Sequence, residues 1–257
     1  RYLSSAASDV YKRQTLPFFI EICHLIKMKS VFPISELPLI KVTGRDYSYQ
    51  VRRIFCVGRN YVEHALELGN AVERKQPFYF TKSPFSLLDA DKEFNYPPMT
   101  KDLHHEIELV VAIAKPLQKA TREDIEGSIF GYACGLDMTR RDLQNVAKKQ
   151  GKPWDVSKDF DGSAIIGEIT EAKEVSNVKN SKLKLFLNDR LQQMGKISDM
   201  IHSVDEILLD LSRYTHLGPG DLIMTGTPAG VSAVKKGDIL IAQIDGLTDL
   251  KVKISES

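Results

Sequence analysis

Strand signals recur along this chain without the strand–helix–strand rhythm of a doubly wound fold, and that irregularity narrows its possible folds most. Segments such as KLKLFLND (182–189) and DILIAQID (238–245) alternate apolar and polar residues with the period of two that strands require. PGD at 219–221 and KGD at 236–238 are turns that launch further strands. Helical stretches are short and irregularly placed. NYVEHALELG reads as a helix with Asn60 as N-cap, Glu63 as its capping-box partner and Gly69 as its stop. REDIEGSIFGYACGLDMT joins a short helix to a strand ending near Asp137. TRRDLQNVAKKQG is a helix with Thr139 and Asp142 as cap partners, lysines in its last turn and Gly151 after it. The pattern predicts a β-rich α+β fold with mixed sheet.

With 257 residues the chain can build one large domain or two small ones. Charged residues make up 27% and hydrophobic ones 42%, an ordinary globular balance, and the net charge of +1 gives no footprint for nucleic acid. The densest basic patch, Lys148–Lys152, reads as a solvated helix end. Cys23, Cys56 and Cys134 form no CxxC and no paired framework, which fits a reducing, cytoplasmic setting. The opening RYLSSAASDVYKRQ lacks a Met and resembles an assembly artefact. TLPFFIEICHLI after it is too short to span a bilayer, so no membrane segment is expected. Residues 1–27 are therefore expected to be a non-native leader, with translation starting at Met28, and 28–50 to be a Pro-punctuated N-terminal arm.

HHEIELVVAI (104–113) carries the first chemical question. In a strand, Glu106 and Glu108 point the same way, roughly 6–7 Å apart. Like charges at the edge of a core resist desolvation unless a proton, a basic side chain or a metal ion joins them. Exposed edge carboxylates would explain the pair in isolation. A third acid, Asp137, closes another apolar strand, and three carboxylates from two strands suit a hard divalent cation. In NYVEHALE, His64 and Glu67 are i,i+3 neighbours, able to form a base dyad or simply an exposed pair on a helix. Lys82 and Lys158 read as surface lysines on spacing alone, and His104 and His105 as peripheral to any metal.

Taken together, RRIFCVGRNYVEHALELG, PFYFTKS, KDLHHEIELVVAI, GYACGLDMTRRDLQ, GKPWDVSKDFDGSAIIG, DMIHSVDEILLDLSRY and PGDLIMTGTPAGV resemble, in order, the fumarylacetoacetate hydrolase family, and within it the acylpyruvate-hydrolysing branch. The resemblance runs from about Val51 to Ile254 and makes 51–257 the catalytic domain. It implies a β-rich roll, a homodimer, and Mg²⁺ or Mn²⁺ held by Glu106, Glu108 and Asp137. It further implies a catalytic dyad of His64 and Glu67, an active-site Lys158, and substrate contacts from Arg141, Gln144 and Thr227. The substrate implied is a 2,4-dioxo acid, hydrolysed between C3 and C4 to pyruvate and a carboxylic acid. Oxaloacetate decarboxylation or isomerisation of unsaturated dioic acids is the alternative on the same platform. The chain departs from the family at Ser163-Ala164-Ile165, where relatives often have a Pro, and at Ser83 after the TK lysine, which touches loops near the pocket.

Overall fold

Five consecutive apolar residues, Leu109–Ile113, have no polar face to give to water, so their strand must be covered on both sides. In the computed structural model, which describes residues 31–32, 36–67, 76–88 and 93–256, the strand Ile107–Ile113 lies inside a mixed sheet and is buried throughout. The sheet order is Thr170–Glu171, Ile129–Asp137, Ile107–Ile113, Asp221–Met224, Arg53–Gly58 and Phe78–Lys82, with Ala164–Ile166 also paired to Ile129–Asp137. Within it, Asp221–Met224 runs parallel to Arg53–Gly58. Residues 1–27 and Gly69 lie outside the described residues. Arg1–Glu36 and Leu37–Ser257 separate as two units, and everything below concerns the second.

The strands alternate between two cores. Leu109, Val111 and Ile113 face one apolar cluster, which also takes Leu183 and Leu185 from the strand Lys182–Leu187 and Leu240, Ala242 and Ile244 from Ile239–Ile244. These two strands are the middle of an antiparallel second sheet flanked by Arg190–Lys196 and Leu250–Lys253. Val110 and Ala112 face the other cluster, with Ile54, Cys56, Ala133 and Met224. A hairpin of Leu39–Lys41 and Ser48–Gln50 covers that side. It is fastened by the buried Tyr49 hydroxyl, which accepts from Ile113 N at 3.0 Å and Gly220 N at 2.9 Å.

The α+β reading holds, and the alternating segments at 182–189 and 238–245 are strands. Two capping expectations are corrected. The helix Val62–Glu67 begins two residues after Asn60, and the Asn60 side chain instead bridges to His202 and Thr225. The helix Arg141–Gln150 has Arg140 at its N-cap, and Thr139 turns inward to Lys158. Each side chain found a buried long-range partner, worth more than a local bond that water can replace.

Candidate metal centre and active-site cleft

The alternation that separates the two cores also places the site. Glu108 shares the face of Val110 and Ala112, Asp137 that of Ala133, and Lys82 and Phe80 stand opposite Ile54 and Cys56. Acidic and basic side chains therefore emerge from one face of neighbouring strands, at the end where the apolar cluster stops. Glu106, Glu108 and Asp137 are all buried, and one ligand oxygen of each lies within 4.8 Å of the others. Glu108 sits opposite Gly135 in the ladder, where a Cβ would come 2.5 Å from Val110 Cγ2, so only glycine lets these two strands close beneath the carboxylates. Gly226, with φ of +98°, donates its N–H to Glu108 Oε2 at 2.8 Å, in a conformation that disfavours any side chain.

Cations balance this cluster. Lys158 Nζ reaches Glu106 Oε2 at 2.7 Å, Asp137 Oδ2 at 2.5 Å and Thr139 Oγ1 at 2.7 Å, using all three donors of an ammonium. Arg141 pairs with the other oxygen of Glu106 and donates to Gln144 Oε1 at 2.6 Å. Burial would raise the Glu106 pKa, but Lys158 and Arg141 outweigh it and hold the carboxyl well below its usual range. Glu108 goes the other way. Burial, then Asp137 and Glu106, push it well above the carboxylate range, because the lysines and Arg141 bond to its neighbours. A dication at the centre would reverse that shift.

The donor set fits a hard divalent ion: three carboxylates, no thiol or imidazole, and ligand oxygens close enough to share one ion. Asp137 Oδ1 is buried without a hydrogen-bond donor among the described residues. Lys82 Nζ stands 2.8 Å from it as an ion contact but off the bonding direction, so a lone pair is left for a ligand.

Across the cleft, the buried His64 faces the cluster, with Nδ1 3.4 Å from Glu67 Oε2, and Glu67 is anchored by Gly230 N at 3.1 Å. Burial lowers the His64 pKa, Glu106 pulls it up and Arg141 pushes it down. The net effect is downward, so the ring is neutral at pH 7. Thr227 Oγ1 accepts from Gln193 Nε2 at 2.8 Å. Eight of the nine residues expected from the sequence line one small cleft, and Glu67 joins it through His64. His104 and His105 stay outside that lining.

Sequence reasoning misplaced two lysines and missed one glutamine. Lys82 is buried at the end of an aromatic strand, and Lys148 half-buries over the Trp154 ring at 5.2 Å rather than standing free on a helix end. Gln193, fully buried, donates to Thr227 and to Pro228 O and accepts from Ile107 N and His105 Nδ1. Nothing in RLQQMGK distinguishes it. A lysine in register with Phe78 and Phe80 was the available signal for Lys82.

The fumarylacetoacetate hydrolase C-terminal family matches residues 53–255. Among curated relatives, a fumarylpyruvate hydrolase of Ralstonia is 42% identical over 189 residues, 73% of this chain and 98% of that protein. An oxaloacetate tautomerase of Escherichia coli (strain K12) is 38% identical, covering 79% of this chain and 93% of its own. The fumarylpyruvate hydrolase of Pseudomonas aeruginosa, solved with Mn²⁺ and pyruvate, superposes with a TM-score of 0.86 at 39% identity, covering 89% of this chain and all of that one. Fold, sequence and the composition of the cleft agree, and the chain belongs to the fumarylacetoacetate hydrolase family of enzymes.

Proposed function

We propose that this protein hydrolyses acylpyruvates, 2,4-dioxo acids, to pyruvate and a carboxylic acid, using Mg²⁺ or Mn²⁺ held by Glu106, Glu108 and Asp137. One observation carries the reading: an all-oxygen ligand cluster and a His–Glu dyad face each other across a single cleft. The Mn²⁺ and pyruvate of the Pseudomonas aeruginosa relative support it. The dication supplies Lewis-acid polarisation of the 2-oxo acid end of the substrate. Arg141, Gln144 and Thr227 orient that carboxylate by charge-assisted and neutral hydrogen bonds. His64, fixed by Glu67, takes a proton from water as its oxygen adds to the C4 carbonyl. Lys158 borders the cleft with its donors held by Glu106, Asp137 and Thr139, and its positive charge stabilises the negative charge that develops on the C4 oxygen. The C3–C4 bond then breaks with its electron pair moving to C3, which takes up a proton to give pyruvate.

The test is to load the protein with Mg²⁺, offer fumarylpyruvate, acetylpyruvate and oxaloacetate, and follow pyruvate release. Release from an acylpyruvate is expected, abolished in Glu106→Ala, and reduced about 10²–10⁴-fold in His64→Ala with metal binding retained. Unchanged turnover in either variant rejects the assignment. The tautomerase relative favours a second reading, enol–keto exchange of oxaloacetate on the same cluster. Loss of the enol absorbance of oxaloacetate, without pyruvate from any acylpyruvate, would select it.

A further inference from the structure

The small cleft opens into a cavity of about 1150 Å³, and the two share Gly58, Arg59, Phe80, Lys148, Trp154 and Lys158. The shared residues form a graded path away from the carboxylates. Lys158 Nζ lies 5.1 Å from the Phe80 ring centre, Phe80 is 5.9 Å from Trp154, and Lys148 Nζ is 5.2 Å from Trp154. Two aromatic rings, tilted at 56° to one another, thus lead from the reacting centre to a cation. Arg59 flanks the same passage, and neither Arg59 nor Lys148 has a carboxylate partner among the described residues, although Lys148 is half-buried. The other lysine and arginine of the cleft, Lys158 and Arg141, both contact a carboxylate.

Arg59 is exposed at the mouth of the passage, and it is its backbone that is fixed. Arg59 takes the left-handed conformation, φ 60°, which a non-glycine residue adopts only at a cost. The following residue locks it there: Asn60 Nδ2 donates to His202 O at 2.9 Å and Thr225 O at 2.8 Å, and Asn60 Oδ1 accepts from His202 N at 2.8 Å. Asp155 also lines the larger cavity, with Lys152 beside it, so that the balance of charge along the passage is positive.

From this we infer that Arg59 and Lys148 form a distal anion subsite that selects acyl groups ending in a carboxylate, with Phe80 and Trp154 accepting a planar, unsaturated chain between. The inference rests on the acylpyruvate reading and adds the nature of the acyl group. Two cations without a carboxylate partner among the described residues, standing beside the aromatic rings where the cleft meets the larger cavity, suit a second carboxylate on a dianionic substrate, and a methyl-ended acyl group would make no use of them.

The deciding measurement compares kcat/KM for fumarylpyruvate with that for acetylpyruvate in Mg²⁺-loaded wild type, Arg59→Leu and Lys148→Met. The ratio is expected to fall about 10–100-fold in each variant, the range of a lost charge-assisted hydrogen bond. A ratio unchanged in both overturns the subsite while leaving acylpyruvate hydrolysis standing. Should wild type release pyruvate from neither compound, the hydrolase reading fails, and calorimetry decides the subsite separately. With pyruvate and Mg²⁺ saturating, fumarate is then expected to bind more tightly than crotonate, which has a methyl in place of the distal carboxylate. That preference should vanish in Arg59→Leu. Equal binding of the two acids by wild type overturns the inference.

Discussion

Gln193 shows how a single buried side chain fixes protonation around a site. Its amide nitrogen donates to Thr227 and Pro228 O, so its oxygen must accept, from Ile107 N at 3.1 Å and from His105 Nδ1 at 2.9 Å. His105 therefore carries its proton on Nδ1 and accepts from Ser232 at Nε2, in keeping with a pKa driven down to about 4 chiefly by burial. Gln193→Leu keeps the volume but strands two buried N–H donors, and should cost about 2–4 kcal/mol of stability by denaturant unfolding. Because the Thr227 hydroxyl loses its donor as well, KM for an acylpyruvate should rise in the same variant. Each of the nine residues expected at the site sits in a motif, and the structure brings eight of them to one cleft. Gln193 and Lys82 were not readable, because burial and partners 34 to 88 positions away in sequence give them their character.

At the level of elements, the strand Ile107–Ile113 did most to make the site legible. Period-two alternation places Glu108 on the face of Val110 and Ala112, and the paired strand brings Asp137 alongside. The price of this closeness is Gly135, where an added methyl would meet Val110 and Met224 side chains at 2.5 and 3.5 Å. Gly135→Ala should therefore destabilise by about 1–3 kcal/mol, as overpacked cores do, and weaken Mg²⁺ binding by spreading Glu108 from Asp137. Thermal unfolding with and without Mg²⁺ separates the two effects, since a packing defect alone lowers both midpoints equally. The helix ends were less legible. Asn60 and Thr139 are good local caps by residue type, yet each serves a contact made by another part of the chain.

Across the whole molecule, two cores back to back hold one sheet rigid, and the charged cluster stands where the second core ends. Its uneven charge has a measurable consequence. Glu108 keeps its proton above the ordinary carboxylate range, so this group favours the metal-free fold at low pH and ceases to do so as pH rises through its raised pKa. A dication must displace that proton. The rise in Tm on adding Mg²⁺ should accordingly grow from pH 5 to pH 8, and chelation should abolish it along with turnover. A Tm shift independent of pH would mean that Glu108 binds no metal.

What the sequence determined by itself was periodic and local. It carried the strand alternation, the absence of βαβ rhythm, the acid pair at the mouth of an apolar run, and the ordered motifs that mark the family. What only the tertiary structure decided was which side chains lose water together. Lys82 became an ion partner of Asp137, Lys148 turned to face a cavity, and Glu108 rose in pKa while Glu106 fell. Identical residue types diverged because desolvation and Coulomb energy depend on neighbours in space, and those neighbours come from segments far apart along the chain.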